Sequence, residues 1–219
     1  VDDPVMWGLL KNRTFVSRID DLRWTLGAQE LCFQNLPLSW FFTCGKAIPI
    51  IRGKGVYQVA MDYAVDRLNH GNWVHIFPEG RVHQEDTMLP FKWGVGRLII
   101  DSKLPPLVVP IYHQGFAKMH PLNGGWVPNP FASALHVTIG DAIDTAPWRG
   151  QGESLTSYLG ANAASTQPPA DVLASPRLHR QWITAQLQER MAEMQTKVMG
   201  KRPKMVEAGD AEVGKAPWN

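Results

Sequence analysis

Cysteine is scarce: the 219 residues hold only Cys32 and Cys44. Two cysteines build neither a disulfide framework nor a metal site, and they read as reduced, buried, small apolar residues. An excess of charge of one sign is also lacking. A net charge of +2 and a pI near 8.6 are too weak to argue for nucleic acid, though compatible with an anionic membrane surface. No uninterrupted apolar run reaches the roughly 20 residues that a membrane-spanning helix needs. The nearest stretch, Trp93 to Tyr112, carries Arg97, Asp101 and Lys103 and is broken by Pro105-Pro106. It reads as a core helix followed by a core strand, with a partly inserted interfacial segment as the alternative. No signal peptide, transit peptide or N-terminal anchor is legible, residue 1 is Val, and no internal repeat is present.

What is there suits one domain with a full-sized core. Hydrophobic residues make up 44%, an ordinary share for a globular chain. The 9 Trp exceed what such a core needs. Most fill the core, but Trp also favours sites with one apolar and one wet side.

Helices and strands alternate along the chain. Asp3 as N-cap and Pro4 at the first helical position predict a helix to about Lys11. Short helical pieces are expected at Ala28–Phe33 and Leu38–Thr43, separated by Pro37. Ala47 to Ile51 reads as a strand leading into a turn at Gly53 and Gly55. From Gly55 to Asn69, Val56, Val59, Ala60, Tyr63, Ala64 and Leu68 share one helical face. Trp73–Phe77 is a strand stopped by Pro78, Val95–Ser102 a helix, and Leu107–Tyr112 and Leu135–Ile139 are strands. This rhythm predicts an α/β fold with a largely parallel central sheet flanked by helices. Thr145 to Ser175 reads as a long loop with one short helix near Glu153–Leu159. Arg177–Met199 is a helix, the domain ends near residue 200, and the tail from Pro203 is polar and disordered.

The chemistry gathers at Phe77-Pro78-Glu79-Gly80. A carboxylate and a glycine at the C-terminal end of a strand lie where open α/β sheets bind ligands. Glu79 can accept hydrogen bonds from hydroxyls, Gly80 permits close backbone approach, and Arg81 follows. Arg52 lies just after the apolar run Ala47–Ile51, and a guanidinium suits bidentate phosphate binding. Val108-Val109-Pro110-Ile111 is an apolar run with an internal proline. At the front stands Asp2-Asp3-Pro4.

Taken in order, these pieces resemble the four blocks of the glycerolipid acyltransferase family: His-four residues-Asp, Gly-hydrophobic-Arg, Phe-Pro-Glu-Gly and hydrophobic-Pro. The resemblance runs from residue 1 to about Gly140. The stretches Asp2-Asp3-Pro4 with Trp7-Gly8, Arg23 to Thr25, Gly45 to Gly53, Gly55 to Gln58, Leu68 to Gly71, Trp73 to Gly80 and Phe91 to Ile99 resemble more closely a branch of mitochondrial phospholipid–lysophospholipid transacylases. The resemblance implies that Asp2 orients a catalytic His, Arg52 holds the lipid phosphate, Glu79, Gly80 and Arg81 form the glycerol-backbone site, and Pro110 shapes the acyl pocket. It implies phospholipid and lysophospholipid substrates, a general-base mechanism, and no cofactor or metal. It also implies a peripheral place on a mitochondrial membrane, facing the intermembrane space, with Trp93–Tyr112 as the candidate contact. The first-block His falls five positions before Asp2, ahead of Val1, and none of the seven His has the required spacing. The 219 residues alone are therefore expected to show little or no activity. Two other readings stand beside this one: an acyl-CoA-dependent lysophospholipid acyltransferase, and a non-catalytic membrane-binding relative.

Overall fold

A computed structural model describes residues 22–81, 84–85, 87–119, 121, 129, 135–150, 162–163 and 167–206. The expected helix at 4–11, the one near 153–159, and Asp2 lie outside them. The chain is α/β, as expected, and its described strands form four separate sheets in which four of the six pairings are parallel.

The site is carried by a three-stranded parallel sheet, β1 (Trp24–Ala28), β2 (Ala47–Ile50) and β3 (Val74–His75), in the order β2-β1-β3. Thr25 pairs with Ala47 on one side of β1 and with His75 on the other. β1 went unread because Trp-Thr-Leu-Gly-Ala offers neither a clean alternation nor a turn signal at its start. Pro49 fits in β2 because β2 is an edge strand, where a missing N–H costs no ladder bond.

Between β1 and β2 run α1 (Gln29–Cys32) and α2 (Leu36–Cys44). Pro37 does not separate two helices here. It sits in the first turn of α2, behind Asn35, whose side chain accepts from the Leu38 N–H at 3.0 Å, so proline and cap together start the helix. Cys32 is half-buried and Cys44 exposed, not buried as expected.

Helix α3 (Val59–Asn69) lays Ala60, Met61 and Ala64 on Ile48 and Leu98. After β3 come β4 (Thr87–Met88) and α4 (Gly94–Asp101). Helix α4 is central: Val95, Leu98 and Ile99 are buried, Ile99 at 2% exposure. The core reading of Trp93–Tyr112 is therefore right for the helix, and the interfacial alternative fails there. The strand after it is two, β5 (Leu107–Val108) and β6 (Ile111–Gln114), parted at Val109-Pro110 because proline cannot donate to a ladder. Beyond β6 lie α5 (Phe116–Met119), β7 (His136–Ile139), which pairs antiparallel with β6, and β8 (Ile143–Asp144), which pairs antiparallel with β5.

The segment expected to be a loop after Thr145 is tied to the core. Thr145, Ala146 and Trp148 are buried, Trp148 within a 3-10 turn at Pro147–Arg149, and His179 meets the Trp148 carbonyl at 2.6 Å. β9 (Asn162–Ala163) and α6 (Ala170–Leu173) follow. Helix α7 (Pro176–Met199) starts at the Ser175 cap with Pro176 first and ends at Gly200, φ 67°. It packs Ile183, Leu187 and Ala192 into one core with Met88, Phe91, Val95, Ile99, Ile143 and Trp148. The expected disorder from Pro203 is corrected at β10 (Lys204–Met205), which pairs parallel with β4.

Candidate functional site

β2 and β3 both run parallel to β1, so the loops that follow them leave from the same, C-terminal edge of the sheet. The strand order puts β2 and β3 two strand spacings apart, about 10 Å. That edge carries Arg52 and Glu79.

Phe77-Pro78-Glu79-Gly80 closes as a turn, the Gly80 N–H donating to the Phe77 carbonyl at 3.1 Å. Proline is suited to the second position of such a turn. Gly80 has φ 70°, and a Cβ there would stand 3.2 Å from Lys92 Cγ, so glycine serves both conformation and space. A second strand of chain braces the turn: the Lys92 N–H donates to the Pro78 carbonyl at 2.7 Å. Gln188 of α7 in turn holds that second strand, accepting from the Phe91 N–H at 3.1 Å and donating to the Leu89 carbonyl at 3.3 Å.

Glu79 is half-buried, and burial pushes its carboxyl from the ordinary 4.5 up to about 7. The Leu89 N–H that donates to it and the nearby charge of Arg81 act the other way, with less weight. The group is thus poised near neutrality. As an acid it can donate a hydrogen bond, and as a carboxylate it can only accept.

Arg52 stands on an exposed turn whose shape is fixed by Gln58. The Gln58 side chain accepts from the Ile51 N–H at 2.9 Å and donates to the Gly55 carbonyl at 2.8 Å. The guanidinium itself pairs with Glu30 of α1. Both side chains are well exposed, so the pair is worth little in stability, and a phosphate can compete for the guanidinium. Glu30, Gln58 and Gln188 were not expected among the site residues.

A cavity of about 200 Å³ reaches the turn at Phe77 and Pro78. Its walls are largely apolar: Val74 to Pro78 on one side, Val108 to Ile111 on another, with Phe91, Val95 and Ile99 between them, and His75, His113 and Arg190 as the polar exceptions. Pro110 is in that wall, so the structure brings Pro110 and the Glu79 turn to one cavity. His75 and His113 flank Phe77 there, with ring centroids 4.6 and 6.4 Å from it. His70 is exposed at the end of α3, 2.8 Å from the Asp66 carbonyl. Among the described residues no group of three or more His, Cys, Asp or Glu could hold a metal ion, and no helix is long and apolar enough to cross a membrane.

The arrangement can seat a phosphate at one end of a sheet edge, hydroxyls at the other, and a hydrocarbon chain beneath. The family model described as Acyltransferase matches residues 1–114. The chain belongs to the acyltransferase family. It is similar to a protein named Taffazin from Dictyostelium discoideum, 46% identical over 147 residues, covering 65% of this chain and 51% of that one. It is also similar to N-acylphosphatidylethanolamine synthase from Arabidopsis thaliana, 43% identical over 150 residues, covering 66% of this chain and 52% of the relative. Tafazzin from Saccharomyces cerevisiae is 33% identical over 186 residues, with 66% and 49% covered. The chain thus spans about half the length of these curated relatives. The acyltransferase match includes the segments that hold Arg52, the Glu79 turn and Pro110.

Proposed function

We propose that this acyltransferase is a tafazzin-like transacylase that moves fatty acyl chains between phospholipids and lysophospholipids, monolysocardiolipin among them, without CoA. The observation that carries the reading is that Arg52 and the Glu79 turn follow β2 and β3 at one edge of the parallel sheet, while Phe77 and Pro78 of that turn share a largely apolar cavity with Pro110. The similarity to two proteins named for tafazzin supports it.

In this reading the donor's acyl chain lies in the cavity beside Pro110, Arg52 binds a lipid phosphate, and Glu79, Gly80 and Arg81 hold the glycerol hydroxyls. Asp2 fixes the tautomer of a first-block His. That His takes the proton from the acceptor hydroxyl as its oxygen forms a bond to the acyl carbonyl carbon. The donor's ester C–O bond breaks, and the proton passes to the oxygen that leaves. One ester is made and one is lost, so neither a covalent enzyme intermediate nor an added oxidant or reductant is needed.

The test uses a chain that carries the first-block His ahead of Asp2. Phosphatidylcholine with a labelled acyl chain serves as donor and monolysocardiolipin as acceptor, with and without CoA. Label in cardiolipin without CoA is the expected result; label that appears only when CoA is added would establish the CoA-dependent reading instead. An arm with phosphatidylethanolamine checks for N-acyl product, since one similar protein is named for that reaction. We place the enzyme peripherally on mitochondrial membranes facing the intermembrane space. Activity that sediments with other membranes would overturn that location.

A further inference from the structure

Helix α2 is apolar on its outer side as well as its inner one. Its nine residues, Leu36 to Cys44, include no charged side chain and none that is buried. At 100° per residue, Leu36, Trp40, Cys44, Pro37 and Phe41 fall on one arc of about 140°, and all five are exposed. Leu36 is 86% exposed, Trp40 72% and Phe41 60%. The half-buried side, which faces the rest of the domain, holds Ser39 along with Leu38 and Phe42. A soluble surface helix turns charged and polar residues outward, and α2 has none there but Thr43. Neighbouring α1 extends the apolar arc with Leu31, itself exposed.

The occupant of this face can be argued from its size, its rim and its place. Five side chains on a nine-residue helix fall far short of the roughly 20–30 residues a side that a standard protein interface uses. An exposed Trp beside Phe and Leu is suited to the boundary between headgroups and acyl chains. The rim is cationic: the turn after β2, next to α1 through the Arg52–Glu30 pair, also exposes Lys54. Arg52 and Lys54 outweigh the single charge of Glu30, which complements an anionic lipid surface. Chain geometry also favours it. β1 ends at the sheet edge that carries the candidate site, and α1 and α2 follow directly, so the apolar face begins beside that edge.

We propose that the outer face of α2, with Leu31 of α1, docks on a phospholipid bilayer, setting Arg52 at headgroup depth. This places the docking surface at Leu31 to Cys44 rather than at Trp93 to Tyr112, whose helix is largely buried. The proposal rests on the lipid-substrate reading above only in its choice of partner.

The experiment separates the two. Vesicles of dialkyl ether phosphatidylcholine and ether phosphatidylglycerol carry no ester to transfer, so their binding does not depend on acyl transfer. The 219-residue chain should float with them, and the double variant Trp40→Ser/Phe41→Ser should bind about tenfold or more weakly, through the loss of buried apolar area. Because both positions are exposed, the circular dichroism and melting of the variant should match the parent. A variant that binds these vesicles as the parent does overturns the proposal, whatever the transfer assay shows. So does a parent that is dimeric in light scattering and a variant that is monomeric, since a second copy would then cover the face. Loss of binding upholds the docking surface even if the chain proves to transfer nothing.

Discussion

Glu79 is the residue whose surroundings most change its chemistry. The ordinary carboxyl titrates at 4.5, and burial lifts this one to about 7. The folded state therefore holds its proton more tightly than the unfolded chain. Stability contributed by the neutral form is fully present below about pH 4.5 and lost as pH rises through 7. A shift of that size corresponds to at most about 3 kcal/mol. Glu79→Gln removes the titration. We expect the variant and parent to melt alike near pH 4.5, and the variant to melt several degrees higher at about pH 8. Parallel curves for the two proteins across this range would show that the carboxyl is not buried in the way described. The residue's identity was legible in the sequence as a carboxylate at a strand end, and so were Arg52 and Pro110. Its burial was not. That depends on Leu89 and Lys92, which reach the turn through contacts the local sequence does not encode. Glu30, the partner of Arg52, was hidden for the same reason.

At the scale of elements, the crossing of α4 and α7 holds the floor of the site. Gly96 makes it possible. A Cβ built there would lie 2.4 Å from the Arg180 carbonyl oxygen and 2.8 Å from Thr184 Oγ1. Backbone cannot yield as a flexible side-chain tip can, so Gly96→Ala must push the helices apart. We expect a loss of about 1–3 kcal/mol. Gly94→Ala is the control. Its Cβ would meet only the Met61 side-chain tip, at 3.3 Å, and it should cost less. Equal melting of the two variants would place the tight crossing elsewhere. Helices were the legible elements. α3, α4 and α7 were all read within a few residues, because apolar spacing and caps lie within one stretch of chain. The strands were harder. β3 is two residues long, β5 and β6 are parted by a proline, and β1 has no pattern of its own. A strand is completed by its partners, and those are distant in sequence. Helix α2 shows the converse limit. It reads only as a short helical piece, because composition does not say which side of a helix is covered.

The whole molecule is closed by its last described residues, which return to the strand beside the site. After Gly200 turns the chain at the end of α7, Arg202 grips both carboxylate oxygens of Glu189, at 2.8 and 2.7 Å. Pro203 is buried, Lys204 and Met205 pair with Thr87 and Met88, and the Val206 N–H donates to the Met88 carbonyl at 3.1 Å. A polar tail gave no hint of this, since pairing with a two-residue strand needs backbone groups and no apolar pattern. Met88 is buried in the main core, and the next residue, Leu89, donates its N–H to Glu79. The last described residues therefore support the site through one intervening strand. Two shortened chains test this, one ending at Val206 and the other at Arg202. The shorter loses a few backbone hydrogen bonds to a core strand, worth about 1–2 kcal/mol together. In a domain of this size its melting temperature should fall by about 3–6 °C relative to the longer. Hydrogen exchange should locate the loss, with the Leu89 amide exchanging faster in the chain that ends at Arg202 while amides in the middle of α3 keep their protection. If the two chains melt together and Leu89 is equally protected in both, the β4–β10 ladder does not brace the Glu79 turn.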